Sequence, residues 1–230
     1  KAAFQGDGRV YVMDANGQVV TGEDGQPIPV QVVVEEGAKI TTAAAGGGSV
    51  ALFGQQVENA GQIESPSGQV VLAAGQKVYL QASESPDLRG LLVEVDAGGT
   101  AWNRATGTIT STLGNVSMVG LAVNQDGRVS ATTSVQSNGS VRLLARDTVS
   151  VVQGTGSQPP TLSTSRAGAV TFGAGSLTEV GIDAATADKT AVPDQAQPLS
   201  SVEVVGRQVE MQAGSTIRVP FEVTGGSEDR

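Results

Sequence analysis

The sequence predicts an all-β fold, a parallel β-helix or β-solenoid with extruded loops. Three observations predict it: Gly occurs 31 times in 230 residues while only 3% of residues are aromatic, a five-residue phrase recurs, and apolar residues alternate along short segments. Small side chains and frequent glycines are typical of thin, repetitive layers, whereas a compact globule would usually contain more Phe, Tyr and Trp. Helical periodicity is hard to find.

The recurring phrase is Gly-x-Val-x-(Leu/Met/Phe). Its copies begin at Gly48, Gly68, Gly114, Gly139 and Gly168. The spacings of 20, 46, 25 and 29 residues correspond to about one repeat, two repeats, and then two repeats with small insertions. A recurrent period of this kind is the sequence signature of a solenoid, in which each coil buries its inward face only by stacking on the next.

A second phrase precedes some of these copies and adds another strand to each repeat. Its three copies are Asn59 with Ile63, Asn103 with Ile109, and Asn124 with Val129. Seven residues separate Ile63 from the next valine of the first phrase, and the same step follows Ile109, so two strands are expected in each repeat. Gly and Asn end the strands and are predicted to take positive φ at sharp corners. An Asn there is also expected to hydrogen-bond to adjacent coils.

Within the strands the apolar period is two. It predicts that Val70 and Leu72 point into the coil and that Val71 points outwards. The same rule places Val141 inside and Arg142 outside. An antiparallel sandwich would also offer short strands at regular spacing, but it has no reason to keep this register. The parallel solenoid is therefore the favoured interpretation.

Four regions follow from this pattern. Residues 1–45 are predicted to be a β-rich entry segment with a hairpin at Asn16-Gly17, continuing into the solenoid. Residues 46–153 contain the regular coils. Residues 154–200 are expected to form a coil with extruded polar loops, because they are rich in Pro, Ser, Thr and Ala. Residues 201–230 form the final coil and tail.

Charge and composition argue against several classes of function. The formal net charge of −9, without a basic run, argues against nucleic-acid binding. The apolar runs fall far short of the roughly 20 residues needed to span a bilayer, so no membrane insertion is expected. Cys and His are both absent, which removes thiolate sites and the commonest general base. The chain starts without Met or a secretory leader and is expected to be a piece of a longer polypeptide.

The acidic residues do not predict an active site. Adjacent residues in a strand point to opposite faces, so an adjacent pair cannot easily flank one glycosidic bond. The three such pairs are Glu23-Asp24, Glu35-Glu36 and Glu228-Asp229. Asp96, Asp126 and Asp147 sit at different places within their repeats, which disfavours a calcium-dependent lyase site. No catalytic, cofactor-binding or metal-binding residue is assigned, and the chain is expected not to be an enzyme.

Trp102 is the only tryptophan. An exposed indole can stack on a sugar, but no other aromatic residue lies within a few positions of it. Packing against the side of a coil is therefore the favoured interpretation.

One long stretch of the chain has a characteristic sequence, VALFGQQVENAGQIESPSGQVVLAAGQKVYLQA. It is followed by similar segments, LRGLLVEVD, GLAVNQDGRVSATTSVQSNGSVRLLAR and GSTIRVP. These phrases resemble the filamentous haemagglutinin family, the large exoproteins of two-partner secretion in Gram-negative bacteria. The resemblance covers roughly residues 45–220. It implies a long right-handed parallel β-helix that is secreted to the cell surface through an outer-membrane β-barrel transporter.

The family's secretion domain carries an Asn-Pro-x-Gly type motif near its start, and no Asn-Pro occurs here. The chain is therefore expected to be a segment that follows the secretion domain, and no export-recognition residues are assigned. The resemblance implies a structural or adhesive role in adhesion, aggregation or biofilm formation. Expected partners are the transporter during export, surface glycans or proteins, and copies of the chain itself. The alternatives are a self-assembling filament, a stalk without ligand binding, and a carbohydrate-active β-helix enzyme.

Overall fold

The structure is a computed structural model that describes residues 4–6, 11–43, 47–83, 90–134, 139–153, 161–165, 167–183 and 200–219. These residues form β-strands, turns and loops, and none of them is helical. Accordingly, no helix within these ranges is long and apolar enough to cross a membrane.

The strands are short, as the repeat predicts. In chain order they are β1 (Phe4–Gly6), β2 (Gln31–Val34), β3 (Lys39–Thr41), β4 (Val50–Gly54), β5 (Gln56–Asn59), β6 (Gln62–Glu64), β7 (Gln69–Ala74), β8 (Lys77–Ala82), β9 (Leu91–Asp96), β10 (Thr100–Asn103), β11 (Thr108–Ser111), β12 (Asn115–Gly120), β13 (Ala122–Gln125), β14 (Arg128–Thr133), β15 (Ser140–Ala145), β16 (Val149–Val152), β17 (Thr161–Thr164), β18 (Ala169–Phe172), β19 (Leu177–Ile182), β20 (Ser201–Val205), β21 (Gln208–Met211) and β22 (Thr216–Arg218).

Most strands stack in three parallel sheets. Sheet I is β2-β5-β10-β13-β18-β21, sheet II is β3-β6-β11-β14-β19-β22, and sheet III is β4-β7-β12-β15-β20. The chain visits sheets I, II and III in turn and then returns to sheet I one strand further along, so one circuit is one coil. The predicted parallel β-helix is therefore confirmed. The predicted number of strands is wrong, because each complete coil has three strands and not two.

The register of sheet III confirms four of the five copies of the Gly-Val phrase. The valines at equivalent positions pair in the order Val50, Val70, Val116, Val141. The copy that begins at Gly168 is different, because it forms β18 and Val170 pairs with Val123 in sheet I. Val202 takes the next place after Val141 in sheet III. Strands of sheet I and of sheet III need the same alternation of inward and outward residues, so the Gly-Val phrase can form a strand in either sheet.

The inward side chains of the three sheets form one core that runs along the coil stack. Val70, Leu72 and Val141 are fully buried in it, as the period of two predicts. Arg142 points outwards, and its Nε lies 2.7 Å from Glu203 Oε2 in the next coil. Because each coil covers the next, the core is continuous only while the coils remain stacked.

Three buried amides interrupt this apolar core. Asn59, Asn103 and Gln125 are direct neighbours across sheet I, and all three are fully buried. Asn59 Nδ2 donates to Asn103 Oδ1 at 2.8 Å, and Asn103 Nδ2 donates to Gln125 Oε1 at 2.8 Å. These residues are called the amide ladder below. The predicted hydrogen bonding of corner Asn residues to adjacent coils is confirmed at Asn59 and Asn103.

The same prediction is wrong for Asn124. Asn124 is the register partner of Trp102 on the outward face of sheet I, so it does not join the amide ladder. Gln125, one residue later, takes the inward place. Its longer side chain reaches the following coil, where Nε2 donates to the carbonyl oxygen of Leu177 at 3.0 Å.

The glycines that precede the strands of sheet III are required for close stacking. A Cβ on Gly68 would lie 1.7 Å from the carbonyl oxygen of Gly48, and a Cβ on Gly114 would lie 2.0 Å from that of Gly68. The left-handed residues at these corners are the preceding ones, Ser67 at φ 56° and Leu113 at φ 53°. The prediction that the glycine itself takes positive φ is therefore wrong here.

Gly114→Ala is expected to lower the free energy of unfolding by about 2 kcal/mol, because the added methyl group forces two stacked backbones apart. Urea denaturation followed by circular dichroism would measure the change. Gly181→Ala is the matched control, since a Cβ there meets nothing within 4 Å and its φ is not left-handed. Equal losses in both variants would contradict the stacking explanation.

A hairpin formed by β8 and β9 leaves the coil stack after β7 and packs on the outer face of sheet III. It forms a second core, whose members are Val71, Ala73, Val119 and Leu144 from the sheet and Val78, Val93 and Val95 from the hairpin. For this reason β7 and β12 are buried on both faces. Val71 points out of the coil, as predicted, yet the hairpin covers it.

The entry element, residues 11–29, folds on itself before the first coil. One of its turns contains Gly17 at φ 75°, where the sequence predicts a hairpin. The Val12 amide donates to the Ile28 carbonyl oxygen at 2.9 Å, the Ile28 amide to that of Val20 at 3.0 Å, and the Val20 amide to that of Val12 at 2.8 Å. Three short segments therefore close into a ring rather than a simple hairpin.

The region predicted to carry extruded polar loops lies partly outside the described residues, which omit 154–160, 166 and 184–199. Within the described part, β17 pairs with β16 of the preceding region to form a second antiparallel hairpin. The strands β18 and β19 are walls of a coil in sheets I and II. The hairpin and the coil therefore account for the described part of this region.

Candidate functional site

A groove of about 360 Å³ lies between the entry element and the corners that precede β5 and β10. It is lined by Tyr11, Gln26, Pro27, Pro29, Gln55, Gln56, Gly98, Gly99 and Thr100. The amides of Gln55 and Gln56 both donate to the carbonyl oxygen of Val30, at 3.0 and 3.3 Å, and so fix the start of the first coil against this corner. The volume falls in the range of small-molecule sites, about 300 to 1,000 Å³.

The lining of the groove is polar and uncharged. Among the residues that the structure describes, it contains no Asp, Glu, Lys or Arg, although the chain as a whole carries a net charge of −9. Three glutamine amides, one threonine hydroxyl and one tyrosine phenol supply groups that can both donate and accept hydrogen bonds. The tyrosine ring and two proline rings supply apolar surface. Such a lining suits a neutral ligand that has polar groups and apolar faces.

Gln55 carries an unpaired polar atom at this groove. Its Oε1 is buried and has no hydrogen-bond partner. Its backbone is held on both sides, because the amide donates to Val30 and the carbonyl oxygen accepts from the Thr100 amide at 3.1 Å. A buried acceptor without a partner costs about 1–3 kcal/mol. By contrast, the Oε1 of Gln56 already accepts a hydrogen bond from Gln31 Nε2.

Trp102 follows Thr100 on the outward face of β10, roughly 7 Å further along the strand. The guanidinium carbon of Arg104 lies 3.3 Å from the centroid of its ring, and its Nε1 donates to Asp126 Oδ2 at 2.7 Å. Arg104 also pairs with Glu58, with 2.6 Å between Nη2 and Oε2. The indole therefore connects side chains of three adjacent coils, and Arg104 covers one of its two faces. This arrangement agrees with packing against the side of a coil.

The three aspartates considered for a lyase site have separate structural roles. Asp126 accepts the indole N–H. Asp96 and Asp147 are close together, since the Val149 amide donates to Asp96 Oδ1 at 3.2 Å and the Ala97 amide donates to the Asp147 carbonyl oxygen at 2.9 Å. No three His, Cys, Asp or Glu side chains of the described ranges converge on a point that could hold a metal ion.

The adjacent acid pairs lie in exposed turns where the structure describes them. Glu35 and Glu36 are exposed between β2 and β3. Glu23 and Asp24 are exposed in the second turn of the entry element, where Asp24 Oδ1 accepts the amide of Gln26 at 3.0 Å. The third pair, at 228–229, lies outside the described residues.

The comparisons with known proteins found no match. No protein-family model fits the chain, and no curated protein and no solved structure is significantly similar to it. Membership of the filamentous haemagglutinin family, export by two-partner secretion and a surface location therefore stay predictions that rest on the sequence phrases.

Sequence reasoning missed the groove because its walls are far apart in the chain. The entry element supplies one wall, and residues 55–56 and 98–100 supply the other. One signal was present, since Gln55-Gln56 and Gly99-Thr100 come at the same phase of two coils, where β5 and β10 begin. Nothing in the alternation of apolar residues connects these corners to the entry element.

Proposed function

We propose that the chain is a structural and adhesive segment of a large, secreted, surface-associated β-helical exoprotein that serves adhesion, aggregation or biofilm formation. The observation that supports this proposal best is the continuous stack of coils, with two sheets of six strands and one of five in parallel register. Hydrogen bonds along three walls make such a stack a stiff rod. Its work is passive, so it needs no catalysis and no cofactor.

The outward surfaces of the rod are the parts that would meet a partner. Two hairpins and the entry element project from the coils, and ion pairs between adjacent coils stiffen the walls. The pairs described in sheet II are Lys39 with Glu64 at 3.1 Å, Arg128 with Glu179 at 3.1 Å and Arg218 with Glu179 at 3.8 Å. The family resemblance adds export through an outer-membrane β-barrel transporter and a location at the surface of a Gram-negative cell.

Binding of the purified chain to intact cells and to a glycan array, repeated across a salt series, tests the adhesive role. We expect saturable binding that changes little as the salt concentration rises, because no described lining residue of the candidate groove is charged and only ionic contacts are strongly screened. Heat-denatured chain is the control for nonspecific adsorption. Clean absence of binding to both cells and glycans would contradict adhesion and leave the role of a stalk.

A self-assembling filament is the second candidate, and the outermost described coil favours it. Val209 and Met211 pair with Val170 and Phe172, which are fully buried, so they face the interior of the stack. They are nevertheless 49% and 50% exposed. A further coil stacked on these strands, from a longer polypeptide or from a second copy of the chain, would cover both. Negative-stain images of the same preparation at rising concentration would show ordered fibres if the chain assembles in this way.

A further inference from the structure

We propose that the groove between the entry element and the coil corners binds a neutral oligosaccharide, with Gln55 and Thr100 as hydrogen-bonding groups and Tyr11 and Pro27 as apolar surface. This inference rests on the proposed adhesive function and names the class of ligand that the segment holds.

The uncharged lining favours a neutral sugar over a charged one. None of the nine lining residues that the structure describes is Asp, Glu, Lys or Arg, so these nine offer no ion pair to a sulfate, phosphate, carboxylate or amino group. A charged ligand would lose its hydration without gaining a counter-charge, which costs far more than desolvating a hydroxyl. A ligand whose polar groups are all hydroxyls or amides matches the lining.

The hydrogen-bonding groups fit hydroxyls in particular. The Oε1 of Gln55 is buried and has no hydrogen-bond partner, so this side chain must turn towards the groove before a sugar hydroxyl can donate to it while accepting from another side chain. Neutral side chains that both donate and accept, such as those of Gln26 and Thr100, complement a ring whose hydroxyls do the same. The ring of Tyr11 and the pyrrolidine rings of the groove can cover the apolar C–H faces of the sugar.

An extended peptide fits this site less well. Peptides that add to a sheet bind through unpaired backbone groups of an edge strand. Here the amides of Gln55, Gln56 and Thr100 already donate to backbone carbonyl oxygens. The groove therefore presents side chains and not a free strand edge, which favours recognition of hydroxyls over recognition of a polypeptide backbone.

The backbone at the Gly98-Gly99 corner of the groove is also fixed before any ligand arrives. Gly98 takes a left-handed φ of 56°, and a Cβ on Gly99 would lie 2.2 Å from the carbonyl oxygen of Ala74 in the preceding coil. The corner is held by the coil stack and cannot easily be rebuilt with a larger residue. A site held in one conformation pays little ordering entropy on binding, which allows even a shallow groove to hold a sugar.

The test is an NMR titration of the full chain labelled with ¹⁵N. The neutral ligands are cellotriose, maltotriose, triacetylchitotriose and every other neutral glycan that the array identifies. Trigalacturonate is the anionic probe. We expect a neutral sugar to shift the side-chain amide signals of Gln55 and Gln56. Gln55→Leu and Thr100→Val should each weaken this binding by about tenfold, the effect of losing one buried hydrogen bond. Gln62→Leu, on the exposed face of sheet II, is the matched control and should leave the affinity unchanged.

The outcomes separate this proposal from the adhesive role. Sugar binding that survives both groove variants overturns the groove as the binding site and leaves the adhesive role standing. Saturable binding to cells, with no sugar that shifts the groove amides, has the same meaning. Equal affinity for trigalacturonate, falling steeply with salt, overturns the neutral class of ligand. Absence of all binding overturns both proposals. If Gln55→Leu fails to fold, Thr100→Val, which keeps a β-branched side chain on β10, decides alone.

Discussion

Replacing Asn103 with alanine is expected to lower the free energy of unfolding by about 4 kcal/mol. Asn103 is fully buried and is the middle member of the amide ladder. Its loss removes the partner of Gln125 Oε1 and leaves Asn59 Nδ2 only a longer bond of 3.3 Å to the Thr108 carbonyl oxygen. Each buried polar atom left unpaired costs about 1–3 kcal/mol, and the cavity adds to this.

Chemical denaturation followed by circular dichroism would measure this loss. The matched control is Asn124→Ala, which removes the same side chain from the outward face of the neighbouring coil and should change the stability by less than about 0.5 kcal/mol. Similar losses in the two variants would contradict the role of the ladder. Asn103→Leu should also destabilise, because filling the cavity still leaves Gln125 Oε1 unpaired and Asn59 Nδ2 with only its longer bond to Thr108.

The inward valines of sheet III could be predicted because their signal is local. Val50, Val70, Val116 and Val141 each follow a glycine by two positions, and the period of two fixes the direction of every side chain around them. The strands of sheet I were not predicted as a separate wall, because their alternation of apolar and polar residues is weaker. In β5 and β10 the inward positions are Val57 with Asn59 and Ala101 with Asn103, so half of them are polar.

The wall to which a phrase belongs could not be predicted across an insertion. The copy at Gly168 follows the hairpin of β16 and β17. Because that hairpin is inserted between two strands of the coil stack, the spacing of the phrases does not show in which sheet the next strand lies. Val170 and Phe172 then point inwards from sheet I and not from sheet III. Only the register of the folded coils separates the two possibilities.

The second core could have been suspected from a row of apolar residues on the outward face of sheet III, which the stronger pattern of inward valines made easy to overlook. Ala73, Val119 and Leu144 stand at one outward position of three consecutive coils, where a solvated face would carry polar residues. An apolar row on the outer face indicates that something covers it. Its cover, the hairpin of β8 and β9, could not be identified from the sequence because docking depends on contacts between residues far apart in the chain.

Removing the guanidinium of Arg146 is expected to release this hairpin. Arg146 follows β15, and its side chain is only 8% exposed. Its Nε lies 2.8 Å from Oε2 of Glu94 on β9, whose side chain is 14% exposed, and Nη2 lies 3.4 Å from Oε1. Breaking a buried ion pair by deleting one partner costs about 3–5 kcal/mol, because the other charge is left without compensation. Arg146→Ala should therefore lower the stability of the hairpin by about that amount.

Hydrogen exchange measured by mass spectrometry would locate the effect. Amides of 77–82 and 91–96 should exchange faster in Arg146→Ala, while those of β11 and β14 on the opposite wall keep their protection, because a unit held by few contacts opens before the stack does. Arg142→Ala is the matched control. Its partner Glu203 is 43% exposed, so the loss should stay below about 1 kcal/mol.

A double variant separates the charge from the packing. Arg146→Met combined with Glu94→Leu removes both charges together and keeps apolar volume between the hairpin and the coil, so it should regain most of the stability lost in Arg146→Ala. The second core of Val78, Val93 and Val95 would then hold the hairpin, along with the hydrogen bonds that remain, such as those between the Gln69 side chain and the Leu91 backbone. If the double variant exchanges as fast as the single one, the ion pair fixes the position of the hairpin and does not merely compensate a buried charge. Unchanged exchange in Arg146→Ala would show instead that the apolar contacts and the remaining hydrogen bonds suffice without the pair.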